Sequence, residues 1–114
     1  MKALHINSRD RTVTEVQFNG LEDLQKLVGG YIELAHLWRN GDCMFVDEHG
    51  RLEHKFSGVG FTLKLAPVRA HAGNGVVVGR EVEDHTERGY HNADPEISVA
   101  ELERLVLFMD ARAS

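Results

Sequence analysis

Apolar and polar residues along this chain change period several times, and each change predicts an element. Met1 to Ile6 is short and apolar, and Thr12 to Phe18 sets Val13, Glu15 and Gln17 against Thr12, Thr14, Val16 and Phe18. Two such runs separated by the polar NSRDR stretch predict a β-hairpin. Asn19 precedes Glu22 by three residues, the spacing of a helix N-cap with its reciprocal carboxylate. Leu21, Leu24, Leu27 and Val28 then recur at helical intervals, with Glu22, Asp23, Gln25 and Lys26 on the water side.

From Tyr31 the period falls to two. Ile32, Leu34, His36 and Trp38 are expected on a core face, with Tyr31, Glu33, Ala35 and Leu37 opposite. RNGD at 39–42 predicts a turn, CMFV at 43–46 a strand and DEHG at 47–50 a second turn, with RLEHKF at 51–56 returning as the partner strand. Between Ser57 and Asn74 the spacing fits both helix and strand, and a short element ending before Pro67 is expected. GVVVG at 75–79, apolar on both faces, predicts a central strand. The charged segment REVEDHTERGYHNADPE predicts a loop or a ragged hairpin. Ser98 and Glu101 repeat the capping-box spacing, and Val99, Leu102, Leu105, Val106 and Met109 form an apolar stripe, so a final helix is expected through Met109. The sum is one α+β domain over 1–114: a mixed or mainly antiparallel sheet covered by two helices, in the order ββαβββ…βα.

Composition narrows the function classes. At 114 residues the chain is large enough to bury a core of its own. No run reaches the ~20 apolar residues of a membrane-spanning helix, and MKALHINSRD lacks the apolar centre of a signal peptide, so a cytoplasmic protein is expected. Cys43 is the only cysteine, which excludes an internal disulfide. The formal charge of -5 and the lack of a basic run argue against nucleic-acid binding. The same charge is too small for a strong imitation of DNA, and a weak DNA-mimic antirestriction protein stays only as an alternative reading.

Candidate chemistry is sparse. Gly29 and Gly30 follow a helix, where carbonyls and negative partial charge would repel a phosphate, so a C-terminal cap is expected. AGNGVVVG leads into a strand and fails as a nucleotide fingerprint. His49 and His54 beside Asp47 and Glu48, and His85 and His91 beside Glu83, Asp84, Glu87 and Asp94, would ligate a metal only if the fold converged them. A metal-dependent hydrolase built on them is the other alternative, and neither a metal nor a cofactor is expected. Cys43 has no sequence-local base and is expected to pack as a small apolar group. No catalytic residue is assigned. The ligand-binding candidates are Tyr31, Glu33 and Trp38, for stacking and polar contact, with Arg39, Arg69 and Arg80 for phosphate, since a guanidinium matches that group bidentately.

MKAL, TVTEVQF, LEDLQKLVGGYIEL, MFVDEHG and GNGVVVG together resemble a family of small phage and mobile-element proteins, domain of unknown function 3846. The likeness spans nearly the first 80 residues and is most specific over Leu27 to Glu33. It implies an α+β accessory protein of the bacterial cytosol that acts by binding. Its expected partner is a small nucleotide signal or a host protein, as in antagonism of host defence, and a homodimer is a further expectation.

Overall fold

A computed structural model describes residues 1–49, 58–65, 69–83 and 89–110 of the chain. Strands β1 (Lys2–Asn7) and β2 (Thr12–Gln17) form the predicted hairpin, in register from Lys2 with Gln17 to Asn7 with Thr12. Its loop is held by Asn7, whose side chain accepts from the Asp10 N–H at 3.1 Å, an Asx-type turn. With β3 (Ile32–Leu37), β4 (Cys43–Asp47) and β7 (Gly75–Val78), these strands build a five-stranded sheet ordered β2-β1-β7-β4-β3, antiparallel at each step. The GVVVG run takes the centre because its valines are buried on both faces. Val77 joins one core with Leu4, Ile6 and Met44, and Val76 and Val78 join the other with Ala3 and Phe18.

Helix α1 (Leu21–Val28) closes the second core with Leu24 and Val28. It starts one residue later than the Asn19 and Glu22 spacing predicts: Gly20 is the N-cap and makes no side-chain cap bond, while the Asp23 carboxylate reaches back to accept from the Asn19 N–H at 2.8 Å. Its far end matches expectation. Gly29 takes the left-handed conformation (φ 91°), and the N–H groups of Gly29 and Gly30 both donate to the Gln25 carbonyl. The Leu27 carbonyl receives His5 Nε2 at 2.9 Å and Asn74 Nδ2 at 3.4 Å, so donors occupy the negative end of the dipole.

The opposite face corrects the expectation of one sheet covered by two helices. Helix α2 (Val99–Leu105) has its capping box at Ser98 and Glu101 but stops at Leu105. Val106–Asp110 leaves the helix as a strand, β10, antiparallel to β5 (Val59–Leu63) from Val106 with Leu63 to Asp110 with Val59. With β6 (Ala70–Ala72) it forms a second sheet ordered β10-β5-β6. VLFM suits either state, because its apolar residues satisfy a helical stripe as well as a strand. The unpaired edge of β5 decides it, a tertiary partner overriding a local pattern. Leu102, Val106, Phe61 and Leu63 bury themselves against Leu4, Ile6, Met44 and Val77. The charged segment contributes β8 (Glu81–Glu83) and β9 (Tyr90–Asn92), paired antiparallel as a ragged hairpin. The strand expected at RLEHKF lies outside the described residues.

Strand β3 carries a second correction. Leu34 pairs with Phe45 and His36 with Met44, so Ala35 has no counterpart on β4 and forms a bulge. The expected core face of Ile32, Leu34, His36 and Trp38 is thereby split. Ile32 packs toward α1, Ala35 and Trp38 toward the other core, and Leu34 and Leu37 are left 50% and 59% exposed. Among the described residues no helix is long and apolar enough to cross a membrane.

Candidate functional site

Strands β3 and β6 are the outer strands of their sheets, and where the sheets part between them a cleft of about 270 Å³ opens. Met44, Leu63 and Leu65 give it an apolar floor, His36 and the buried His71 add two imidazoles to its lining, and the exposed Arg69 stands at its edge. A small hollow beside it is shared by Arg69 and His71 and reaches Glu33. Each of these three polar residues is placed by a local cause. The Ala35 bulge turns His36 to the side of Met44. Alternation in the Ala-His-Ala strand β6 turns His71 inward, where only 7% of it is exposed and its ring tilts over Phe61 at 5.4 Å between centroids. The Thr62 hydroxyl donates to the Arg69 carbonyl at 2.8 Å, fixing the backbone from which the exposed guanidinium projects.

A second cleft, of about 370 Å³, lies farther along the β3 side, between Trp38 and Asn40 on one wall and Glu96, Ile97, Glu101 and Arg104 on the other. The His36 ring meets the Trp38 indole edge to face, 4.5 Å between centroids and 86° between planes, and so stands between the two clefts. Asp42 ties the walls together. Only 1% exposed, its carboxylate accepts from the backbone N–H of Glu96 at 3.0 and 3.1 Å and of Ile97 at 2.9 Å, while the Asn40 side chain accepts from the Asp42 N–H at 2.8 Å.

Of the six candidate residues, Glu33 and Arg69 meet at the hollow beside the first cleft, and Trp38 stands one ring away. The others are apart. Tyr31, 67% exposed, and Arg39 line neither cleft. Arg80 reaches a small polar recess of about 160 Å³ with Asp42 and Asp94. Sequence reasoning did not single out His36, His71, Asp42, Glu96 or Arg104, and gave Glu101 no role beyond the cap. A polar residue between alanines in a short apolar strand was the available sign for His71. For Asp42 there was none, because its partners are 54 and 55 residues away.

Cys43 is half-buried, and its thiol donates to the Gly41 carbonyl at 3.3 Å. Burial, and after it the negative charges of Asp42 and Glu81, push the thiol above its ordinary pKa, which leaves it a poor nucleophile at neutral pH. His49 meets Glu48 at 3.3 Å on the surface. Among the described residues no three His, Cys, Asp or Glu side chains converge as metal ligands, and His54 and His85 lie outside those residues.

No curated protein and no solved structure matches the chain. The family domain of unknown function 3846 (DUF3846) matches residues 1–92, from β1 through β9, with α2 and β10 beyond it. With that match covering most of its length, the chain belongs to the DUF3846 family.

Proposed function

We propose that this protein acts by binding, and that its ligand is a small phosphate-bearing molecule of nucleotide type held between β3 and β6. One observation carries the reading: Arg69, His36 and His71 converge over the apolar floor of Met44, Leu63 and Leu65. A guanidinium presents a fork of donors to phosphate oxygens, and an apolar floor accepts the face of a ring, so the two halves of a nucleotide find complementary surfaces. The site is partly preorganised, since the Arg69 carbonyl is held by Thr62 and the His71 ring by Phe61. Together with the family resemblance, this favours an accessory protein of a phage or mobile element that sequesters a nucleotide signal in the bacterial cytosol. Calorimetric titration with cyclic nucleotides and ADP-ribose-type compounds tests it. A saturable heat for at least one compound is expected, and a flat response across the panel overturns the reading.

A further inference from the structure

The second cleft differs in character from the first. Its wall is the Trp38 indole, half-buried and fixed from one side by the edge-to-face His36 ring. Facing it are two exposed carboxylates, Glu96 and Glu101, against one guanidinium, Arg104, so the lining is net negative. The Glu101 carboxylate and the backbone that carries Glu96 are held before anything binds. The backbone of Glu96 is clamped by Asp42, and the Glu101 carboxylate accepts from the Ser98 N–H at 3.3 Å in the capping box. Asn40, on the Trp38 side, is held by the same Asp42.

We propose that the cleft formed by Trp38, Glu96 and Glu101 receives the cationic side chain of an arginine or lysine presented by a protein partner. An indole face attracts a cation through its quadrupole, and carboxylates standing around it supply charge-assisted hydrogen bonds. The complementarity extends to the whole molecule, whose formal charge of -5 steers a basic partner toward it. Trp38 and Asn40 belong to the family-matched residues, whereas Glu96, Glu101 and Arg104 lie beyond residue 92. The C-terminal segment therefore adds the charge selectivity to an aromatic wall within the family core.

Trp38 is the single tryptophan of the chain, so its emission reports this cleft directly. The probes are the capped tripeptides acetyl-Gly-Arg-Gly-amide and its citrulline counterpart, which keeps the shape and removes the charge. A saturable change in emission is expected with the arginine peptide, and binding of the citrulline peptide is expected to be weaker by about tenfold or more. The Glu96→Gln, Glu101→Gln double variant should show a similar loss for the arginine peptide, because glutamine at 101 still completes the capping box. Equal binding of the two peptides to the unaltered chain, no saturable change, or undiminished binding by the folded double variant would each overturn the proposal. The peptide comparison stands even if the double variant does not fold.

Discussion

The Asp42 carboxylate accepts the backbone N–H of Ile97 at 2.9 Å, joining the β3–β4 turn to the segment that leads into α2. With the two contacts from Glu96 it is held in a buried position, only 1% exposed. Removing the acceptor leaves two backbone donors with no replacement. Asp42→Ala is expected to lower unfolding free energy by about 3 kcal/mol, measured by urea denaturation. Amide exchange should rise at residues 96 and 97 ahead of the β7 core. An unchanged midpoint would show the contact to be dispensable.

The bulge at Ala35 makes a sharper test. Because Leu34 faces Phe45 and His36 faces Met44, deletion of Ala35 leaves a strand whose remaining residues already alternate correctly. The deletion should cost no more than about 2 kcal/mol, with Trp38 still in its half-buried setting and its emission maximum unmoved. A red-shifted maximum would mean that the residues after the bulge had changed faces.

Two glycines should respond oppositely. A Cβ on Gly79 would run into the Ala93 carbonyl, so Gly79→Ala is expected to destabilise by about 2 kcal/mol or more. Gly20, the N-cap of α1, has open space around it, and Gly20→Asn should stabilise by a few tenths of a kcal/mol, roughly, by supplying the missing cap. Thermal melts of the two variants would distinguish the outcomes.

Cys43 predicts a pH dependence of definite sign. Its folded-state pKa is raised, so between the unfolded and folded values the native chain binds more protons than the unfolded one. The stabilisation is complete below the unfolded value and is lost as pH rises through the folded one. Unfolding free energy should therefore contain an alkaline decline that Cys43→Ala lacks. Alkylation of the native thiol at neutral pH should be slower than in denaturant, and equal rates would contradict the assigned burial.

Arg69 is exposed and lies at the mouth of the first cleft, so its substitution should separate binding from folding. Arg69→Gln is expected to leave the melting temperature within about 1–2 °C, as surface changes do, and to weaken nucleotide binding by about tenfold or more. Undiminished binding would move the ligand elsewhere.

The elements legible in the sequence were those whose cause is local. The β1–β2 hairpin follows from two apolar runs around a polar turn. The stop at Gly29 follows from the freedom of glycine at positive φ, and the centrality of Val76 to Val78 from residues apolar on both sides. The start of α2 was equally plain, because Ser98 and Glu101 satisfy each other within one turn.

Where two local patterns were compatible with the same residues, distant contacts decided. Val106 to Met109 could continue the helix, and the open edge of β5 made them a strand. Alternation in β3 was readable, but a bulge arises from register with β4, which no spacing within β3 reports. The clefts belong to the same class. Glu33 and Arg69 are binding candidates by their chemistry, yet their meeting depends on how two sheets diverge, and Trp38 acquires its carboxylate wall through a hydrogen bond spanning 54 residues from Asp42 to Glu96. Side-chain type and local periodicity set the elements of this protein; only tertiary packing, which acts between residues far apart in the chain, decided which groups share a surface.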